Sequence, residues 1–313
     1  MERVTEEPVR QVHDRGRGRL RGTEFFSRLV KEKPLGTLGG VIVLSLLVVG
    51  IFADILAPYG YNDFDLGVRL TEPSTAYPLG TDNLGRDLLS RIIYGARISM
   101  YVSLGASGLG VSIATIIGVI SGFLGGRIDL VIQRFVDAIM CFPGLIILLS
   151  IMSILGPGLV QVIVVLGVLS GIGRSRVVRS AAIAVKGNVY VDAAKAIGAP
   201  TSRILARHIL PNITAPIIIL FTVNMGTAIL SEASLSFLGF GIPPPTPSWG
   251  GMLSESGRKF MLLAPWMALW PGLALAIVVY GINMLGDAVR DLLDPRLRGG
   301  LGRYSGARVK SRG

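Results

Sequence analysis

Cysteine and histidine are nearly missing from this chain, which has one Cys (Cys141) and two His (His13 and His208) in 313 residues. A lone cysteine closes no intramolecular disulfide, and Cys141 sits in an apolar stretch where it reads as a packing residue. There is no His-Glu-x-x-His run and no Cys-x-x-Cys pair, so no metal site is expected. Nor is there a Gly-x-x-x-x-Gly-Lys-Ser/Thr loop to cradle phosphates, and no residue is assigned a catalytic role.

Charge is scarce as well. Charged residues make up 16% of the chain and hydrophobic ones 50%, a balance that suits a polytopic membrane protein better than a soluble domain. Pro34 to Ala53, Ile98 to Gly126, Ala138 to Gly173, Ala215 to Ser231 and Met261 to Gly286 contain no Asp, Glu, Lys or Arg. A helix needs about 20 residues to cross a bilayer, and the third window is long enough for two crossings joined at Gly156-Pro157-Gly158. The expectation is an all-α protein with six spans. Residues 1–33 form an N-terminal arm, 34–290 the membrane domain with a connecting loop at about 174–212, and 291–313 a basic tail.

The basic residues are unevenly placed. With the N-terminus inside, the arm, the second loop, the long loop and the tail hold 9, 2, 7 and 7 of them, against 4 and 2 in the two outer segments. That asymmetry follows the positive-inside rule and puts both termini and the long loop in the cytoplasm. The net charge of +11 is thus explained by topology, spread over inner loops rather than gathered on a nucleic-acid-binding face. A charged arm of 33 residues before the first apolar run fits a retained anchor better than a cleaved secretory signal. The arm, which includes Arg15, Arg17 and Arg19, reads as flexible.

Several local patterns stand out. Asp87, Ser90 and Arg91 are spaced to share one polar helical face while Leu88, Leu89, Ile92 and Ile93 pack elsewhere. Gly118, Gly122 and Gly126 recur every four residues and offer a smooth strip for another helix. Pro243-Pro244-Pro245 stiffens a loop that continues into Ser248-Trp249-Gly250, and Trp249 is expected at the outer membrane interface as an external contact.

The long loop holds Asp192-Ala193-Ala194, Gly198 and Ile209-Leu210-Pro211 among seven bases and one acid. Tyr190 to Ile197 can form a short helix, its paired alanines admitting a close neighbour, and Gly198 and Pro200 interrupt it before a second helix over about Thr201 to Leu210. This spacing resembles the EAA loop of bacterial ABC importer permeases, a helical hairpin that docks into a separate ATPase subunit. Asp192 keeps the charge where that family usually has Glu, on a side chain one methylene shorter.

Pro78-Leu79-Gly80-Thr81-Asp82 with Gly85-Arg86-Asp87, the run Ser231 to Gly241, and the tail from Gly286 to Leu297 resemble the dipeptide, oligopeptide and nickel permeases, in particular their C-type subunit. The resemblance covers about residues 35 to 297. It implies a homologous second permease, two ATPase subunits that carry ATP and Mg, and an extracytoplasmic substrate-binding protein, all at the inner membrane and in contact with lipid. It implies that the hairpin residues Asp192, Ala193, Ala194, Gly198, Ile209, Leu210 and Pro211 couple to the ATPases. The solute would be a di- or oligopeptide, with nickel complexes, glutathione, opines or sugars as alternatives.

Two other classes are weighed against that reading. Gly105-Ala106-Ser107-Gly108 matches the short serine motif of rhomboid intramembrane proteases, but a nucleophilic serine needs a base nearby and no histidine lies in any apolar window. Ser107 therefore reads as a small packing residue. A channel would be told apart by transport that needs neither ATP nor an ATPase. Within or beside the last two spans, Asn224, Ser231, Glu232 and Asn283 serve either as interhelical hydrogen-bonding groups or as part of a substrate path.

Overall fold

The computed structural model describes residues 22–64, 68–254 and 258–293. Among these residues the secondary structure is helical, apart from one isolated bridge between Thr81 and Asp87. In chain order the helices are α1 (Gly22–Glu32), α2 (Pro34–Ile51), α3 (Ala53–Leu56), α4 (Leu88–Leu124), α5 (Gly126–Met140), α6 (Gly144–Leu155), α7 (Leu159–Lys186), α8 (Val189–Ala196), α9 (Thr201–Ile204), α10 (Thr214–Phe237), α11 (Trp249–Met252), α12 (Arg258–Phe260) and α13 (Trp266–Leu293).

Five of them, α2, α4, α7, α10 and α13, are each long and apolar enough to cross a bilayer. α5 and α6 together also have the length and apolarity of a span but meet at 86°, the geometry of a broken span or a re-entrant loop, so the crossings number five or six. Gly156-Pro157-Gly158 does separate α6 from α7, but the 12 residues of α6 reach only about 18 Å at 1.5 Å per residue. A crossing in this region would have to draw on α5, where the sequence suggested a loop up to Arg134 followed by a span from Ala138. The two acids of this helix are paired: Asp129 with Arg179 and Asp137 with Arg176, both arginines on α7. Pro143 sets the bend, because proline disfavours helical geometry in the residue before it. Cys141 lies in this break and is exposed, not packed inside a span.

The most extensive helix pairing is α4 with α7, and glycines permit it. A Cβ on Gly118 would stand 2.6 Å from the Ser175 carbonyl oxygen, and one on Gly122 would stand 2.7 Å from that of Arg179. Gly126 is not part of this strip; it starts α5 with a positive φ and nothing near it, and Gly110 extends the strip in the other direction against Ser170 and Gly167. Lys186 at the end of α7 closes the pairing by donating to the Phe123 carbonyl at 2.6 Å.

α4 starts ten residues before its apolar window. Asp87 is its N-cap rather than a member of a helical face, accepting from the Ser90 amide at 2.8 Å, and such a cap satisfies an amide the helix leaves free. Ser90 and Arg91 point inward and are buried, and Arg91 donates to the Tyr61 carbonyl at 2.9 Å. Nearby, Arg97 joins α2 and α3 to α4, with Nε 2.8 Å from the Gly50 carbonyl and NH2 2.8 Å from Asp54. That guanidinium holds the Asp54 carboxyl below its ordinary range.

The end of the expected N-terminal arm is ordered helix. α1 packs Leu29 against Ala288 and Leu292 of α13, and Lys33 pairs with Asp291 at 2.5 Å. Of the tail expected over 291–313, residues 291–293 end α13, and residues 1–21 and 294–313 lie outside the described residues.

Candidate functional site

Two features on this frame are candidates for a functional site: a hairpin at one end of the bundle, and a polar cluster midway along it. The hairpin opens at α8. Its turn is made by Gly198, with φ +76, while the Gly198 amide donates to the Lys195 carbonyl at 2.9 Å and the Ala199 amide to the Ala194 carbonyl at 3.0 Å. This pair of bonds is the Schellman arrangement, which needs a left-handed residue after the helix. No atom would touch a Cβ at Gly198, so the requirement is on backbone conformation alone.

After Pro200 the chain winds as α9, then as a π-helix over Leu205–Ile209 and a 3-10 turn over Leu210–Asn212, before entering α10. A uniform second helix was expected to Leu210. Pro211 has no amide hydrogen to offer the Arg207 carbonyl and its ring crowds that position, so the winding changes. Side chains collect carbonyls left over here: Asn212 donates to the His208 oxygen at 2.7 Å and Thr214 to the Pro211 oxygen at 3.1 Å.

The hairpin has two unlike faces. Val191, Ala194, Ile204, Ile209 and Ile213 are buried in a cluster with Val119 and Phe123 of α4 and Val178 and Ala182 of α7. Val189 and Ala193 on α8 and Ile197 at its C-cap, four residues apart, face away from the bundle, with Val189 84% and Ile197 85% exposed. The two expected docking alanines thus divide their roles: Ala194 packs inward and Ala193 points out. Asp192 is exposed and paired with Lys195 at 2.8 Å. Leu210 is exposed and Pro211 half-buried, while Ile209 is fully buried.

The polar cluster joins α7 and α10. Arg174 donates from NH2 to Thr227 Oγ1 at 3.1 Å, Thr227 donates in turn to the Asn224 carbonyl at 3.0 Å, and Asn224 Nδ2 donates to Ser170 Oγ at 3.3 Å. Asn224 is buried and Thr227 exposed. From α13, Asn283 places its Oδ1 3.1 Å from where a Cβ on Gly226 would be, and it is exposed in the isolated chain. Ser231 is half-buried on the same helix, one turn beyond Thr227. Glu232 is on the other side of α10, fully buried, its Oε1 accepting from Ser236 at 2.6 Å. Of the four residues expected along a substrate path, Asn224 and Asn283 both lie beside Gly226, Ser231 lies about two turns from Asn224 along α10, and Glu232 is buried with Ser236.

Residues 114–299 match the family model described as binding-protein-dependent transport system inner membrane component. The chain belongs to this family. It is 41% identical over 275 residues to the dipeptide transport system permease protein of Alkalihalophilus pseudofirmus, covering 88% of this chain and 90% of that one. To the glutathione transport system permease protein of Pectobacterium atrosepticum it is 38% identical over 279 residues, covering 88% and 91%. Among solved structures, an inward-facing MetNI methionine ABC transporter chain aligns with a TM-score of 0.53 at 18% identity, covering 65% of this chain and 96% of that one, a likeness of fold. The protein is an ABC transporter permease subunit and an integral membrane protein.

One expectation for the permease is corrected at the end opposite the hairpin. Trp249, expected as an external contact, is only 2% exposed. Its ring lies in the notch left by Gly95, where a Cβ would stand 2.7 Å from the indole, and Nε1 donates to the Ile92 carbonyl at 3.1 Å. Bringing an indole N–H to a backbone acceptor removes the reason for it to stay at an interface, so the ring serves as an anchor for the loop. Beside it is a cavity of about 430 Å³ lined by Asp82, Arg86, Arg91, Pro157 and Ser248 among others. Asp82 holds Arg86 at 2.7 Å and lies 3.6 Å from Arg91, so one buried carboxylate serves two guanidinium groups.

Sequence reasoning missed Arg174, Ser170 and Thr227. The uncharged window ended at Gly173, which assigned Arg174 to the loop, although α7 runs on to Lys186. An arginine only one residue past an apolar window was the available signal.

Proposed function

We propose that this permease forms one half of the pathway of an ATP-driven importer of di- or oligopeptides, glutathione among them. It pairs with a homologous permease, receives solute from a binding protein on the outer side, and takes its motion from two ATPase subunits on the cytoplasmic side, where ATP and Mg are bound. Both termini and the hairpin are cytoplasmic in this reading, supported by the excess of Lys and Arg on those segments. The peptide assignment is supported by relatives named for dipeptide and glutathione transport.

The observation that carries the mechanical part is the two-faced hairpin. Val189, Ala193 and Ile197 offer an apolar stripe to a partner, as an amphipathic helix does when it lies in a groove, while Val191, Ala194 and Ile209 tie the same helices to α4 and α7. A push on the stripe is therefore delivered to the spans, since the buried side is close-packed and yields little. The test is Ile197→Asp combined with Val189→Asp, with the transporter purified in membrane particles. The ATPases should be lost while the second permease remains bound; full ATPase retention with normal ATP-driven uptake would refute the docking role.

A further inference from the structure

We propose that Arg174 is a contact for the carboxylate of the solute in transit, a reading that rests on the importer function above. Three arginines lie close together on α7, and their partners differ. Arg176 pairs with Asp137 and Arg179 with Asp129, whereas Arg174 forms no ion pair with any described residue. Its guanidinium, which carries five N–H donors, is met by one neutral acceptor, Thr227 Oγ1.

The depth of this contact is set by α10. Thr227 is about 20 Å along the helix from Thr214 and about 15 Å from Phe237, taking 1.5 Å per residue. A cation held at mid-span does not face lipid at acceptable cost; it faces a partner or an aqueous path. What surrounds it is neutral and polar. Thr227, Ser231 and Ser234 lie along α10 at or near the surface of the chain, and Asn283 is exposed on α13 next to Gly226. The described part of this face carries one positive charge and no carboxylate, with hydroxyl and amide groups around it. That composition suits a passing anion that leaves again, because a full complement of fixed acids would neutralise the site. Every peptide with a free C-terminus brings a carboxylate that a guanidinium can take with paired hydrogen bonds, and an acidic peptide brings at least one more without a cation to offset it, so its passage depends most on Arg174.

The experiment uses the assembled transporter with its binding protein in proteoliposomes and a pool of acidic, zwitterionic and basic di- and tripeptides with glutathione, import being read by mass spectrometry. Arg174→Gln should lower import of acidic peptides about tenfold relative to basic ones. Arg174→Glu should widen that gap, and Arg174→Lys should stay near the parent profile. An unchanged charge profile in the Gln and Glu variants would overturn the carboxylate contact and leave the importer reading standing. Loss of the second permease from those two variants but not from Arg174→Lys would assign the guanidinium to an acid of the partner subunit and also overturn it. Failure of the unaltered transporter to import any peptide in the pool would overturn the peptide reading, and this contact with it.

Discussion

Arg179 grips Asp129 with two hydrogen bonds, Nε 2.6 Å from Oδ1 and NH2 2.5 Å from Oδ2, and so fixes α5 to α7. Ser121 of α4 donates to the same carboxylate, and Gln133 donates to Ser121 at 2.9 Å, which brings three helices to one acid. A forked pair of this kind is stronger and more directional than a single ionic contact.

Removing one partner should therefore cost more than removing both. We expect Asp129→Ala to lower the melting temperature of the purified transporter more than the double variant Asp129→Ala with Arg179→Met, because the single change strands a half-buried guanidinium. Thermal scans of the two single variants and the double variant check this. Strictly additive losses would mean that the pair does not act as a unit.

Gly198→Val should uncouple the transporter. A β-branched residue is disfavoured at φ +76, although nothing blocks its side chain, so the spans should fold while the second half of the hairpin is misdirected. ATP hydrolysis stimulated by loaded binding protein should fall by about tenfold or more if the turn sets the geometry, whereas Gly198→Asn should keep much of it, since Asn tolerates that conformation. Stimulated hydrolysis measured with equal ATPase retention distinguishes misdirection from failed docking.

Trp249→Ala should destabilise the bundle. Truncating a buried aromatic side chain costs roughly 3–5 kcal/mol in a well-packed core, and here the Ile92 carbonyl also loses its donor. The expected result is a clear drop in thermal stability together with lower uptake. Unchanged stability with selectively impaired binding-protein contact would restore the external role expected from sequence.

Single cysteines at Thr75 and Ser202, both exposed positions, test the orientation once the exposed Cys141 has been replaced by Ser. A membrane-impermeant thiol reagent added to intact cells should label Thr75→Cys and spare Ser202→Cys until the membrane is opened. The opposite pattern would invert the topology.

Much of this architecture was legible because hydrophobic runs are a direct record of the bilayer. α2, α10 and α13 each overlap an uncharged window, with ends displaced by up to seven residues, and α8 and the turn at Gly198 follow from local backbone preferences. What could not be read depends on partners distant in sequence. The charges of α5 suggested a loop because Arg176 and Arg179, which neutralise two of them, lie 39 and 50 residues away. Trp249 looked like an interface residue because its notch at Gly95 and its acceptor on Ile92 belong to another helix. The split between Ala193 and Ala194 needed the packing of the hairpin on α4 and α7, which no local pattern encodes.

The winding between the hairpin and α10 has a mechanical meaning. From Thr201 to Phe237 the chain never becomes an extended linker: it passes from α to π to 3-10 and back to α, with the Ile213 amide reaching Ile209 and Leu210 and the Ile217 amide reaching Ile213. A loose tether would dissipate a twist, but a helical rod whose pitch varies along one short section passes torque on while letting its two ends differ in phase. Turning the hairpin would thus rotate α10 about its own axis and carry Asn224, Thr227 and Ser231 with it.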